Sequence, residues 1–381
     1  MELNNFIKIN NLNNFELLKE KLEAVPYNLK FKEDNDYPDF FLIHNQESSD
    51  FNLKIVNECN GIILNKKDLK IICYTFDKCN NSTIIPNIFD FDNLHLEYSV
   101  EGTLIRLFFK NKWCLSTKKC IDANKSKWLS DKSFQDLFKE IFDEKKLDSL
   151  DQNYCYSFIL THPENNIIVN YETPNLILIS TRDMNNLNEI NYDIEEISKL
   201  EKKKIDKVNI ESICNDIINQ QNLLNEGFIF IDTNFNRWKL KSNLYNKVRN
   251  LWGNTNNRFF RYIELRKNPE ILNDYLYYFK NDTELFKNYE EKLNFFYEYI
   301  LKNYINKHVT KNIIKLPFYL KDIVYKLHGD YLKNKTITDI NKVIFFLYNY
   351  DTKKICFMFN SYVKDIESTN LENIENYMDE N

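Results

Sequence analysis

Two carboxylates and two lysines are placed where they could meet a charged ligand. Glu101 precedes Gly102 in "SVEGTLI", Glu226 precedes Gly227 in "NEGFIF", and Lys239 and Lys241 stand two apart in "RWKLK". All four lie in or beside short strand-like runs, and residues two apart on a strand point to the same face. Carboxylates bind hard cations such as Mg²⁺, and lysine ammoniums neutralise phosphate oxygens. If the fold brings the four together, Glu226 as a metal ligand and the lysines as phosphate contacts suit a nucleotide site. A third glycine, Gly61, follows Asn60 in "ECNGIIL", and the chain has only five glycines, the others being Gly253 and Gly329. Usage leans towards Asn, Lys, Ile, Tyr and Phe, with alanine only at Ala24 and Ala123, a bias towards AT-rich codons. A glycine that persists against such a bias is expected where a side chain has no room. Taken singly, each still reads as a turn residue.

The elements that must position these residues are mostly short strands. "GIILN", "LKIICYTF", "TLIRLFF", "WCLST", "CYSFIL", "NIIVNY", "NLILIST", "FIFID" and "RWKLK" are β-branched or aromatic runs bounded by Asn, Asp, Gly or Pro. The stretch "LEYSVEGTLIRLFFKNKWCLST" predicts two strands joined at Lys110, Asn111 and Lys112. Helices are expected over residues 13–22 and 131–142, and a long charged helical connector over 193–222. Beyond Tyr245 the strand signals fade. Leu285, Tyr289, Leu293, Phe296, Ile300 and Tyr304 recur at helical spacing behind Asp282, a candidate N-cap. Further helices are expected over 317–328, stopping at Gly329, and over 338–349. The expected architecture is α+β: an antiparallel-sheet domain over 1–245, an all-helical domain over 246–362, and a loose acidic tail over 363–381.

In chain order these segments resemble the ATP-dependent RNA ligases of the covalent nucleotidyltransferase superfamily, above all the phage-type ligases and their relatives in large DNA viruses. In that family a strand opens with K-x-D-G-[ST]-L. An R-G and a Lys-containing loop precede it, and a carboxylate-bearing strand, an E-G strand and a K-x-K strand follow. Here "SVEGTL" takes the first place, Asn60-Gly61 and Lys78 the upstream places, "SFILTHPENNIIV" the third, "EGFIF" the fourth and "KLK" the fifth. The resemblance spans roughly residues 50–245, and the helical region behind it is similar to the family's RNA-specificity appendage. It implies a nucleotidyltransferase fold, ATP or GTP (or an mRNA cap) with Mg²⁺, and RNA as partner. Glu101, Gly102, Glu226, Gly227, Lys78, Lys239 and Lys241 keep the family's residue types.

Three positions depart from the family. Its nucleophilic lysine falls on Ser99, its upstream arginine on Asn60, and the carboxylate of its third motif on Ile159. The family's reaction begins when a lysine amine attacks the α-phosphorus of ATP to give a lysyl–AMP phosphoramidate. A serine hydroxyl needs a general base, and His95 is the one histidine close in sequence. The phosphodiester it would form also has a poor alkoxide leaving group. Glu101 and Gly102 therefore read as a retained pocket turn, and Ser99 as the place where covalent catalysis has been lost. The expected function is a catalytically degenerate RNA-ligase-like viral protein, not an enzyme, that binds an RNA 5′ end, a cap or a nucleotide within an RNA-processing or translation complex. The alternatives are a working RNA ligase, or one that seals pre-adenylylated ends, and a structural subunit with a vestigial pocket.

Charge and composition agree with a nucleic-acid partner locally rather than globally. The net charge is −5, but residues 237–267 carry nine basic side chains against the single acid Glu264, with Trp238, Tyr245, Trp252, Phe259, Phe260 and Tyr262 interleaved. Basic residues among aromatics suit phosphate contact and base stacking on single-stranded RNA, with Arg237, Lys247, Arg249, Arg258 and Arg261 as candidates. A solvated helix face with its own core aromatics fits the same pattern. The eight cysteines form no CxxC pair and are expected to be reduced. No window approaches the ~18 apolar residues that cross a bilayer, so a cytoplasmic location is expected.

Overall fold

The computed structural model describes residues 1–81, 94–205, 209–312 and 315–379. The chain divides into two compact units, Met1–Arg249 and Asn250–Asn381.

The first unit is built on three sheets. The first, in the order Lys30–Glu33, Phe40–His44, Asn60–Asn65, Ile71–Cys73, is antiparallel throughout. Alternation along its strands sends Phe41, Ile43, Ile62 and Leu64 to one face, against Leu3, Leu18 and Leu22 of the helices Glu2–Ile9 and Phe15–Glu23. Phe40, Leu42, Ile63 and Cys73 point the other way and pack with Phe108, Cys114 and Cys155 of the second sheet. The second sheet runs Glu189–Ile190, Asn175–Asp183, Tyr154–Thr161, Thr103–Lys110, Lys112–Thr117, with Ser198–Lys199 pairing in parallel with Asn175–Asp183. Its far face buries Ile105, Leu107, Phe158 and Leu176 against Phe134 and Phe138 of the helix Phe134–Lys139. Each such side chain removed from water contributes about 1.5–3 kcal/mol.

The third sheet, which carries most of the expected site, runs Lys203–Lys204, His95–Ser99, Gly227–Ile231, Arg237–Lys241, Asn80–Asn81. Leu96, Phe230 and Leu240 on its back bury against Ile210 and Ile217 of the helix Ile210–Ile218. Two short segments cross from sheet to sheet. Val100, Glu101 and Gly102 carry the chain from the third sheet to the second, and Leu200, Glu201 and Lys202 carry it from the second to the third. Between the first two sheets, the buried Arg106 donates to the Gly61 carbonyl and, at 2.6 Å, to the Thr117 carbonyl.

The second unit is helical: Arg258–Leu265, Pro269–Tyr278, Asp282–Tyr304, Lys321–Asn334, Ile340–Tyr348 and Thr352–Asp379. Its core gathers Phe259, Leu293, Phe296, Ile300, Leu320, Ile323, Leu327, Val343 and Phe359. Side chains of Asn257, Asn268 and Asp339 cap three of the helices. Among the described residues no helix is long and apolar enough to cross a membrane. The observed class is thus α+β, with antiparallel sheets followed by helices.

Several expectations are corrected. The stretch 96–117 holds parts of three strands, because His95–Ser99 belongs to a different sheet from Thr103–Lys110 and Lys112–Thr117. "NIIVNY" is not a strand; its amides turn to a carboxylate, described below. The charged connector over 193–222 is helical only at Ile210–Ile218, where Ile210, Ile213, Cys214, Ile217 and Ile218 supply an apolar stripe. Upstream, "KLEKKK" lacks such a stripe and forms edge pairings instead, while residues 206–208 lie outside the described residues. Asp282 is the first residue of its helix rather than the cap, which falls on Asn281. The helix expected to stop at Gly329 runs on to Asn334, and a Cβ at Gly329 would meet nothing within 4 Å, so that glycine answers no steric need. Of the tail expected over 363–381, the described residues continue the helix Thr352–Asp379.

Replacing Arg106 with Leu would take a donor from the Gly61 and Thr117 carbonyls, Thr117 keeping the Cys120 amide at 3.4 Å, and a buried carbonyl left unsatisfied costs about 1–3 kcal/mol. Denaturant unfolding of Arg106→Leu should show a loss of unfolding free energy of that order, and an unchanged value would show the two sheets do not depend on this link.

Candidate functional site

Register fixes what the front of the third sheet presents. With Leu96, Phe230 and Leu240 turned to the back, His95, Glu97, Ser99, Arg237, Lys239 and Lys241 share the front. Ser99 and Lys241 are both partners of Gly227 in the ladder. Gly227 has φ 140°, and a Cβ there would lie 2.1 Å from the Leu240 carbonyl oxygen, so only glycine fits between them.

Glu226 is the centre of this front. Its Oε2 accepts from Ser99 Oγ at 2.8 Å and from Lys239 Nζ at 2.7 Å, and its Oε1 accepts from Tyr245 OH at 3.0 Å with Lys241 Nζ 3.7 Å away. Burial pushes the carboxyl up, but the Lys239 and Lys241 ammoniums outweigh it and hold Glu226 at about 2. Burial works against the charge on Lys239, and Glu226 reverses it, so the Lys239 pKa is raised. For Lys241, burial wins and the pKa is lowered. Glu226 Oε2 is held by two protein donors, whereas Oε1 has the Tyr245 hydroxyl, shared with Glu101, and Lys241 beyond hydrogen-bond distance.

Glu101 holds the crossing between the sheets. Its Oε2 accepts from the Ile168 and Val169 amides at 2.9 and 2.8 Å, and its Oε1 from Tyr245 OH at 2.7 Å. Tyr245, on the helix Asn243–Trp252, thereby bridges the two carboxylates. A Cβ on Gly102 would sit 2.5 Å from Ile159 Cγ2 and 2.7 Å from the Leu160 carbonyl oxygen. Here the expectation that a retained glycine marks missing space holds, and Ile159, where a carboxylate was expected, is the group that takes the space.

Ser99 is 1% exposed and gives its hydrogen bond to Glu226. His95 lies four residues back on the same strand, roughly 13 Å along it, and its Nε2 is 3.3 Å from Glu97 Oε1. It is not a base for Ser99. Asn60 is buried and accepts from Asn45 Nδ2 at 3.4 Å. Lys78 lies over the Phe51 ring, 3.1 Å from its centroid, with burial lowering its pKa. A residue that the sequence reading missed is Lys118, just after the strand Lys112–Thr117. Burial, together with the charges of Lys78, Lys119 and Lys239, brings it down to about 8. A run of two lysines in a loop carries no sequence signal for this.

Comparisons with known proteins give the site a context. An RNA ligase of Rhodothermus phage RM378 is 30% identical over 162 residues, covering 33% of this chain and 37% of that protein. The chain is RNA-ligase-like. An immediate-early protein ICP-46 homologue of invertebrate iridescent virus 6 is 25% identical over 261 residues, 62% of this chain and 52% of that protein. The ligase-like chain thus matches only about a third to a half of these relatives' length. No family model matches it. Among solved structures, a putative ATP-dependent DNA ligase from Aquifex aeolicus aligns at TM-score 0.43 and 13% identity, over 84% of this chain and 79% of that one. So loose an alignment adds nothing to the sequence comparison.

Three of the arginines expected to track RNA are occupied within the fold. Arg237 is buried, paired with Glu189 and stacked on Phe76. Arg258 lies over the Trp252 ring at 3.3 Å and beside Asp282 at 3.6 Å. Arg261 donates to the Asn250 and Leu251 carbonyls, closing the end of a helix, and pairs with Glu264. Cation–aromatic stacking and helix closure explain the basic-aromatic pattern of that stretch. Lys247 is exposed and Arg249 half-buried on the helix Asn243–Trp252. The first unit has a small cleft of about 60 Å³ lined by His95, Glu97, Ile179, Tyr192, Phe235 and Arg237.

A carboxyl held below its ordinary 4.5 stabilises the fold at pH values above 4.5, and that contribution is lost as the pH falls towards 2. The shift corresponds to about 3 kcal/mol. Glu226→Gln should therefore lower unfolding free energy at pH 7 by at least about that much, with the gap to wild type closing between pH 4.5 and 2. A gap independent of pH would mean that Glu226 is not held ionised by the lysines.

Proposed function

We propose that the ligase-like chain binds the 5′ end of an RNA, an mRNA cap or a nucleotide on the front of the third sheet beside Lys239 and Lys241, without forming a covalent nucleotidyl intermediate. The observation that carries this reading is the state of Ser99: at the family's lysine position stands a buried hydroxyl whose proton is given to Glu226. The base within reach of this oxygen is Glu226, which Lys239 and Lys241 hold at about 2, far too weak to activate a hydroxyl. What survives is a preorganised positive surface. Lysines in a partly desolvated cleft attract phosphate strongly and need little reorganisation to hold it. The phage and iridescent-virus relatives support a viral RNA-processing or translation setting.

A second reading, sealing of pre-adenylylated RNA ends, draws on the Lys239–Glu226 pair at 2.7 Å, which would orient an adenylate already in place without any lysine adduct.

Incubation with α-labelled ATP or GTP and Mg²⁺, followed by a denaturing gel, should leave the protein unlabelled. A band mapping to Ser99 would overturn the proposal, and ligation of pre-adenylylated RNA by the unlabelled protein would favour the second reading. Ser99→Lys should restore little labelling, because Asn60 and Ile159 also depart from the family's arginine and carboxylate.

The loosely paired Lys241 is the group most available to a terminal phosphate. Lys241→Ala should weaken binding of 5′-phosphorylated RNA by about 5- to 150-fold, while 5′-hydroxyl RNA changes little. Anisotropy titrations of matched RNAs would read this, and equal wild-type affinity for all 5′ ends would sink the end-binding reading.

A further inference from the structure

The layer between the first two sheets holds a pair of thiols in contact. Cys73, at the end of the strand Ile71–Cys73, and Cys155, near the start of the strand Tyr154–Thr161, lie with their Sγ atoms 3.5 Å apart. Cys73 Sγ is also 4.0 Å from Ser116 Oγ. Both thiols are free, and at 0% and 1% exposure both are sealed among Phe40, Leu42, Ile63 and Phe108. The third cysteine of this layer, Cys114, gives its S–H to the Lys112 carbonyl at 3.5 Å instead. A disulfide needs S–S of about 2.05 Å, so the two sulfurs have ~1.5 Å to close. The backbone on the Cys73 side is placed to give that much, because Ile71–Cys73 is the edge strand of its sheet, paired through Asn60–Asn65.

We propose that Cys73 and Cys155 are a disulfide site, closed by a peroxide and tying the first sheet to the second. Hydrogen peroxide is a neutral molecule little larger than water, and it reaches buried thiols through local openings that exclude bulkier oxidants. The Cys73 sulfur attacks first. Burial opposes its ionisation, but a hydrogen bond with Cys155, the Arg106 guanidinium and Ser116 outweigh burial and lower its pKa, while the same contact and burial raise that of Cys155. As a thiolate, Cys73 takes one peroxide oxygen, the O–O bond breaks, and the departing hydroxide leaves as water with the proton the thiol gave up. The Cys155 sulfur then attacks the Cys73 sulfenic acid, the S–O bond breaks, and a second water leaves with the Cys155 proton. Two thiols lose two electrons between them, and one peroxide is reduced to two waters. The new bond closes a loop whose ends are 82 residues apart in the chain. So long a loop takes much conformational entropy from the unfolded state.

The test is peptide mapping of the full chain. Reduced protein is treated with a small excess of hydrogen peroxide, once folded and once unfolded in urea, then alkylated in denaturant and cut with trypsin without reductant. Cleavage at Lys70, Lys78, Lys146 and Arg182 places Cys73 and Cys155 on separate peptides that carry no other cysteine. The folded protein should give one dominant product, those two peptides joined with the loss of two hydrogens, and its other cysteines should be alkylated. The unfolded chain should give mixed pairings. Cys155→Ser should lose the link and leave Cys73 as a sulfenic acid that dimedone traps, whereas Cys114→Ser should keep it. The linked protein should also unfold at a urea concentration higher by about 1 M than the reduced protein. Absence of the Cys73–Cys155 product from the folded protein, or the same mixture folded and unfolded, would overturn the inference. A linked form no more resistant to urea than the reduced one would overturn it too.

Discussion

A buried carboxylate flanked by two lysines organises the first unit's working face. Glu226 joins the strand that carries Ser99, the strand that carries Lys239 and Lys241, and the helix that carries Tyr245, and through Tyr245 it reaches Glu101 at the crossing between sheets. A carboxylate removed from water is stable only while such donors surround it. Each element that supplies one is therefore fixed in position by the electrostatics as well as by its apolar packing. The arrangement also neutralises part of the lysine charge internally.

A hydroxyl at position 99 suits its setting. It gives Glu226 a hydrogen bond without adding a third cation to the two already beside it. On the second sheet, the Ile159 side chain fills the space beside Gly102.

Much of this was legible in the sequence. Strands whose alternation met a clear turn, such as Thr103–Lys110 and Lys112–Thr117 around Asn111, could be placed, as could the convergence of Glu101, Glu226, Lys239 and Lys241. The strand Phe40–His44 was missed because it is buried on both faces, which erases the alternation that identifies a strand. "NIIVNY" misled because β-branched residues were read as pairing when their amides instead serve Glu101. Composition likewise could not show that Arg237, Arg258 and Arg261 have partners of their own within the fold. Lys118 was invisible because its setting comes from sheets distant in sequence.

The two three-residue crossings between the second and third sheets set a mechanical limit on the cleft. At ~3.5 Å per residue, Ser99 and Thr103 cannot separate by more than about 14 Å, and the same bound applies to Lys199 and Lys203. The buried Arg237–Glu189 pair is a third link between the same two sheets. Any movement that drew them apart would be limited by the two short tethers and would have to break that pair and the bonds of the Glu101 carboxylate at one of the crossings.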